Sequence, residues 1–501
     1  MSLQLHTTPF APVPRLDLPA LVKARGFAVD SALAPSFLAQ DAAASNRDRL
    51  LDGALCVTTG QQPGLFTGPL FTVYKALTLV ALARELEERL SRPVVPVFWV
   101  AGDDHDLAEA NHVHVLTVDN TVDRIVVRER PSDEPLIPLY REPLSEGILA
   151  ALERLRSATP ETEFQADIIG WLERHYRPER DYATSFAEAM AELLGPHGLV
   201  VMRPTHEAAK RVMAPLLIRA LERAGELDRA LVAEASRLGS APVPVGDQAT
   251  LVMLECEMGR DRLIAENGRF IARRGGNSWT LDELEQIAQD DPRRLSPNVL
   301  LRPVVEAALL PTLAYVGGPG ELAYLPQCAP AYAALDVRPQ AAVPRWSGRI
   351  VESRVAKVLE KYGIDAEALA RAEGQLEAEL VRDDMPPAAQ QALTTLRKTL
   401  AQEYRALEEA ATQIDPTLEK TIQNAANSAL KELTHLEKRL VSHLKSRNEI
   451  VIQQLAKARV NLFPLGKPQE RVFTVAPYLV RYGRGLLDQV LAAAGQWYRS
   501  G

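Results

Sequence analysis

Four polar residues stand in a row, Asp103, Asp104, His105 and Asp106, directly after the apolar run VVPVFWVAG from Val94 to Gly102. Charges packed at the end of a buried strand carry a desolvation cost unless they are paired or used. An imidazole titrates near neutrality, so His105 is a candidate general base, with a neighbouring Asp to orient it. The rival chemistry is a metal site, because His112 and His114 alternate onto one face if their segment is a strand, and Asp103 or His105 could complete the set. These residues show no recognised ligand spacing, and no metal site is expected.

A second set lies upstream in TGQQPGLFTGP, Thr59 to Pro69. The backbone of Gly60 and Gly68, with the side chains of Gln61, Gln62 and Thr67, precedes a helical segment and could cradle a carboxylate, phosphate or oxyanion. A tight turn that needs its glycines for packing explains the same residues. Lys75 falls on that helix and could reach back to the anion; a solvated helix lysine is the plain alternative. No GxGxxG follows the first strand and no GxxxxGK[ST] occurs, so the usual dinucleotide and P-loop readings fail. The third set sits in LRPVVEAALLPTLAYVGGPGELAYLPQ from Leu301. Gly317, Gly318 and Gly320 allow close backbone approach, and Glu321 stands where a helix dipole would favour a carboxylate. A glycine turn with a capping acid needs no ligand. Arg302, Arg345 and Arg349 are candidate anion clamps, although a structural ion pair explains any one of them equally well.

The elements that must hold these groups follow from apolar patterning. Ala54–Val57 and Val94–Gly102 read as buried strands around a helix from Leu70 to about Leu90, which implies a right-handed crossover in a parallel sheet. Both polar motifs then lie at carboxyl ends of neighbouring strands, where open α/β sheets bind ligands. Ser36–Leu51 reads as a helix, Val113–Leu116 and Arg124–Val127 as strands, Ser145–Leu194 as several helices and Leu199–Met202 as a further parallel strand. Residues 207–295 read as an inserted α+β element: helices over Glu207–Ala224 and Glu226–Leu238, then strands near Thr250–Glu257, Arg262–Ala265 and Phe270–Arg273. Leu309–Val316 is an apolar segment expected to end in a strand. From Leu393 through Leu396, Leu400, Tyr404, Leu407 and Ala411 to Ile414, apolar residues recur every three or four positions. After Asp415 and Pro416 the rhythm resumes from Ile422 to Leu444, which predicts an antiparallel coiled-coil hairpin. The second helix outruns the first, so its surplus seam needs another partner. The expected order is core (1–206), insert (207–295), core (296–378), coiled coil (379–463) and a C-terminal segment (464–501) packing on the core.

A chain of 501 residues is too long for one ordinary core, and 47% hydrophobic with 24% charged residues describes a soluble globular protein. The net charge of -8 disfavours a nucleic-acid or membrane-surface partner and leaves a small molecule as the default. No N-terminal targeting pattern and no membrane-length apolar run is seen, so a cytoplasmic location is expected. The three cysteines, Cys56, Cys256 and Cys328, lack CxxC spacing. Cys56 reads as a buried small hydrophobe; for Cys328 a nucleophilic role competes with that reading.

The three motifs quoted above, with PVFWVAGDDHDLAEANH from Pro96 as the middle one, together resemble the bacillithiol-biosynthesis cysteine-adding enzymes, in an order that covers nearly the whole chain. The resemblance implies an α/β fold: a Rossmann-like parallel-sheet core with inserted connecting elements, plus an α-helical antiparallel coiled-coil domain that supports a homodimer. It implies the last step of bacillithiol synthesis, joining cysteine to glucosaminyl-malate through an amide, with ATP as the suspected co-substrate, Mg2+ accompanying it, and an adenylate as the simplest activated cysteine. On that mechanism His105 is the base, assisted by Asp103 or Asp106. The Gly60–Pro69 loop and Lys75 steady developing negative charge, Arg302 holds malate carboxylates, and Asn111, Tyr315, Gly317, Gly318 and Glu321 complete the substrate site. Pro326, within the tract after Glu321, departs from the family pattern. Two other classes stay open: an aminoacyl-adenylate or nucleotidyl-transfer enzyme with another acceptor, and a non-catalytic coiled-coil scaffold.

Overall fold

The computed structural model describes residues 3–383, 385–447 and 449–500. They form two compact units, one of residues 3–350 with 468–500 and one from residues 351–467. In the first, β1 (Phe37–Leu38), β2 (Leu55–Gln61), β3 (Val94–Val100), β4 (Val200–Met202), β5 (Thr312–Gly317) and β6 (Ala341–Pro344) make one sheet, in the order β6-β5-β2-β3-β4-β1. All neighbours run parallel except β4 and β1 at one edge. Every residue of β2 and β3 except Gln61 is buried, as expected for strands covered on both faces. Helix α1 (Leu70–Leu90) makes the crossover from β2 to β3 and packs against the C-terminal helix Gly485–Ser500. The later strand β5 lands on the other side of β2, so the strand order reverses there and a crevice opens at the carboxyl ends.

Short helix α2 (Leu107–Ala110) follows β3, and α3 (Glu207–Glu222) follows β4. Beyond α3 the insert builds a five-stranded antiparallel sheet, in the order Ser278–Trp279, Arg269–Ala272, Gly259–Glu266, Ala249–Cys256, Leu295–Pro297. Its buried Val252, Leu254 and Leu263 join Val95 and Val97 of β3 and Met213 and Leu217 of α3 in one apolar cluster. The inserted sheet therefore shares the core's interior. Helices α4 (Arg302–Leu309) and α5 (Pro319–Tyr324) flank β5.

Several elements differ from the sequence reading. Ser36–Leu51 is not one helix: Phe37–Leu38 pairs with Met202–Val201 at the sheet edge, and the helix starts only at Ala42, after Asp41 turns the chain with φ 51°. Leu309 ends a helix, and Pro311 separates it from β5; an apolar run alone cannot tell the two states apart. The strands expected over 113–116 and 124–127 are present, as His112–Leu116 and Val122–Val126, and among named strands they pair only with each other. Residues 351–378, assigned above to the core, pack in the second unit, where Val351, Val355, Leu359 and Leu369 cluster with Leu455 and Leu462.

In that second unit, helices Pro387–Thr412 and Leu418–Arg447 lie antiparallel, cross-linked by Arg397 to Glu437 at 2.9 Å and Gln423 to Glu408 at 2.9 Å. Asp415 accepts the Thr417 amide at 2.8 Å and closes the turn between them. A third helix, Glu449–Leu462, supplies Leu455 and Leu462 to the cluster. Among the described residues no helix is long and apolar enough to cross a membrane.

Candidate active site

A cavity of about 500 Å3 opens where the strand order reverses. Gly60, Gln61 and Gln62 from the end of β2, Lys75 from α1, and Gly318, Glu321 and Tyr324 from beyond β5 form one wall. Asp103, Asp104 and His105 from the end of β3 form the other, with Arg260 and Arg262 from the inserted sheet. Arg302, Arg345 and Arg471 also line it.

The first wall is a closed hydrogen-bond network. Lys75, on the buried helix α1, is 1% exposed; its Nζ donates to the Gly60 carbonyl at 2.6 Å and to Glu321 Oε2. Glu321 Oε2 also accepts the Gly318 amide at 2.8 Å, while Oε1 accepts the Tyr315 hydroxyl. The same hydroxyl accepts the Gly60 amide at 3.1 Å and Arg302 Nη2 at 3.0 Å. Arg302 Nη2 reaches Tyr324 Oη at 3.1 Å, and Nη1 reaches Glu306 Oε2 at 2.9 Å; Thr58 donates to the other Glu306 oxygen. Burial would raise the Glu321 pKa, but Lys75, Arg302 and the Gly318 amide outweigh it and hold it below the ordinary value, so the carboxylate stays charged. Burial lowers the Lys75 pKa, with Glu321 opposing. Burial also pushes Tyr315 well up, which keeps its proton on oxygen to donate.

The second wall is open. Asp104 Oδ1 accepts the amides of His105 at 2.7 Å and Asp106 at 3.2 Å, folding the strand end into a tight turn. Asp106 caps α2 by accepting the Glu109 amide at 3.1 Å. Asp103 Oδ1 accepts 2.6 Å from Lys210 Nζ of α3. The His105 Nδ1 is buried and makes no hydrogen bond. Burial and then the Arg260 charge pull the His105 pKa below its ordinary value, against Asp104 and Asp106. Arg260 donates to Ser296 Oγ and the Pro297 carbonyl, each at 2.8 Å, both neutral partners.

Of the residues singled out from the sequence, Gly60, Gln61, Gln62, Lys75, Asp103, His105, Arg302, Gly318 and Glu321 line one cavity, whereas Thr67, Gly68, Asp106, Asn111, Tyr315 and Gly317 do not. Part of the backbone cradle expected over Gly60–Pro69 is already used: the amide of Gly60 donates to Tyr315, that of Thr67 to Tyr176 at 2.9 Å and that of Gly68 to Leu65 at 2.8 Å, and that of Leu70, opening α1, goes to Phe473 at 2.7 Å. Neither Asp103 nor Asp106 bonds to the His105 ring; one is held by Lys210 and the other by the start of α2. Asn111 is buried and donates to the Arg128 carbonyl at 2.7 Å. Arg345 forks onto Glu470 at 2.6 and 3.0 Å, and Arg349 lies outside the lining. Pro326 opens a short 3-10 turn, Leu325–Cys328, and Cys328 is buried with its thiol pushed up to about 12, too high for a nucleophile near neutrality. Among the described residues no three His, Cys, Asp or Glu side chains gather as a metal set. Sequence reasoning missed Lys210, Arg260 and Arg262; the alternation of Arg260 and Arg262 along one strand was the available signal for the last two.

The order of these motifs around the switch point has a known match. Residues 31–346 fit the family model "Bacillithiol biosynthesis BshC, N-terminal Rossmann-like domain", and residues 349–496 fit its C-terminal coiled-coil domain. The chain belongs to the BshC family. A relative from Heliobacterium modesticaldum is 34% identical over 475 residues, covering 91% of this chain and 84% of its own length. One from Koribacter versatilis is 34% identical over 463 residues, covering 90% and 84%. One from Bacillus cytotoxicus is 28% identical over 446 residues, covering 88% and 82%. All three bear the name "Putative cysteine ligase BshC". In this BshC-family chain, six cations and three carboxylates line the cavity. Lys75, Arg302 and Arg345 are matched by Glu321, Glu306 and Glu470. Arg260 and Arg262, without an ion pair among the described residues, leave a site suited to an anionic ligand.

Proposed function

We propose that this chain joins the carboxyl group of cysteine to the amino group of glucosaminyl-malate, the amide-forming last step of bacillithiol synthesis. The observation that carries the reading is a half-buried imidazole, held neutral by burial and by Arg260, in a cavity whose cations include Arg260 and Arg262. A neutral imidazole accepts the proton that the attacking amine must lose, and paired guanidinium groups suit the two malate carboxylates. The carboxylate-binding role given above to Arg302 passes to Arg260 and Arg262, because three of the five Arg302 N–H groups are used inside the first wall. A carboxylate does not acylate an amine near neutral pH without activation, and ATP, with Mg2+, is the co-substrate we assign to that activation. A free cysteine thiol as substrate suits the reducing cytoplasm, where we place the protein.

The test is direct: incubate the pure protein with cysteine, glucosaminyl-malate and ATP, omit each in turn, and read the amide product by mass. Product from the complete mixture alone is expected. Product without ATP would overturn the co-substrate, and no product from the complete mixture would overturn the function. Cysteine-dependent pyrophosphate exchange without reaction at glucosaminyl-malate would favour transfer to another acceptor.

Leu396, Leu407, Leu436 and Leu440 are exposed on the hairpin, at 49, 53, 48 and 39%. We assign that apolar surface to contact with a second copy of the chain. Sedimentation of the intact protein as a monomer at micromolar concentration would refute this.

A further inference from the structure

Lys210 has no place in the reading above, yet it is completely buried, and its Nζ donates to Asp103 Oδ1 at 2.6 Å and to the Leu295 carbonyl at 2.7 Å. It comes from α3, Leu295 belongs to the inserted sheet, and Asp103 lies just beyond the end of β3, so one ammonium joins insert and core at the cavity edge. A buried ammonium is tolerated only when paired and hydrogen-bonded, as this one is. Its partner is one of two half-satisfied carboxylates of the cavity; the other, Asp104, uses its Oδ1 on the amides of its own turn, so Asp103 is the one that a buried cation fixes in place. Asp103 Oδ1 faces Lys210, whereas Oδ2 accepts no hydrogen bond from the described residues, and the side chain, 13% exposed, lines the cavity. Glu321 on the opposite wall has both oxygens occupied.

An amine acceptor reaches an active site near neutral pH largely as an ammonium, which binds best to a fixed carboxylate oxygen with a lone pair to spare. Asp103 Oδ2 is such an oxygen. We infer that Asp103 receives the amino group of the acceptor substrate, and that Lys210 is the positioning residue that turns its free oxygen into the cavity. This rests on the proposed amide-forming reading and adds the place where the amine docks. His105, two residues along the same turn, then lies next to the docked nitrogen, while Arg260 and Arg262 face the anionic part of the molecule. The Lys210 clamp also explains why Asp103 does not orient the His105 ring.

The test compares binding of glucosaminyl-malate with that of glucosyl-malate, which carries a hydroxyl in place of the amine, by calorimetry. The wild type should prefer the amine by about tenfold or more, D103N should lose the preference, and K210M should lower it severalfold. In D103N/K210M, which removes both members of the buried pair and so spares the fold, the second substitution should change the preference no further. A purely structural lysine would have the same effect on that ratio in both backgrounds, and such additivity would overturn the positioning role. A wild type that binds both sugars equally, or a D103N that keeps the preference, would overturn the docking site alone. A wild type that binds neither would overturn the functional reading together with it.

Discussion

The two walls of the cavity are built from the same residue types and differ in how far their polar atoms are satisfied. On the first, Lys75, Glu321, Tyr315, Gly60, Arg302, Glu306 and Thr58 form one network in which each carboxylate oxygen has a partner. On the second, the His105 Nδ1 has no partner, Asp103 uses one oxygen, and Arg260 leans only on neutral acceptors. An unsatisfied buried polar group costs about 1–3 kcal/mol, so the second wall is held at a cost that a ligand can relieve. The first wall is scaffold; the second is where a substrate gains most.

The largest expected effect tests the scaffold. Lys75→Met leaves the Glu321 carboxylate without its cation and should lower unfolding free energy by about 3–4 kcal/mol in urea titration. The lower part of the usual range is expected because the Glu321 side chain keeps 22% of its exposure. Adding Glu321→Gln should recover much of the loss. A single variant as stable as wild type would remove the distinction between the walls.

On the open wall the signs reverse. His105→Gln should cut amide formation about 100-fold or more while leaving the urea midpoint nearly unchanged, since the buried Nδ1 has no hydrogen bond to lose. Equal damage to stability would make His105 part of the scaffold. Arg262→Gln should raise the KM for glucosaminyl-malate about tenfold with little change in kcat, read from initial rates against that substrate. A fall in kcat at constant KM would place Arg262 near the reacting atoms and away from the malate.

Much of this was legible in the chain, and the limits have physical causes. Strand β3 and the start of β2 are apolar runs on either side of the helical tract of α1, so patterning located them and their crossover, and with it the shared crevice. The closed wall misled: Gly60 and Gly68 read as ligand glycines, but a Cβ on Gly60 would lie 3.0 Å from Arg302 Nη1 and 3.4 Å from the Tyr315 hydroxyl, so that glycine makes room for the network. Lys210 and Arg260 were out of reach because their partners, Asp103 and the strand Leu295–Pro297, are distant in sequence. A lone lysine within an amphipathic helix looks solvated until the tertiary fold buries it. For the same reason Gly60→Ala should cost about 1–3 kcal/mol in stability by displacing Arg302, although it touches no reacting group; unchanged melting would show that Arg302 can move freely.

The smallest effect is a shift in pH dependence, and its sign follows from the wall that carries it. The His105 pKa lies below 6.5 in the folded chain, first through burial and then through Arg260, so the unfolded chain binds the proton more readily. The part of folding stability linked to this group is therefore intact above about pH 6.5 and is lost as pH falls from there toward the folded value. On the closed wall Glu321 sits below 4.5, so its contribution survives that first window and is lost only as pH falls through the folded value. Activity that needs a neutral imidazole should hold to a pH lower than an ordinary histidine would allow, with the acid limb of kcat/KM below 6.5. Arg260→Gln removes one cause of the depression and should move that limb upward, whereas Lys75→Met should leave its position where it was. A limb that ignores Arg260 but follows Lys75 would put the titrating group on the wrong wall.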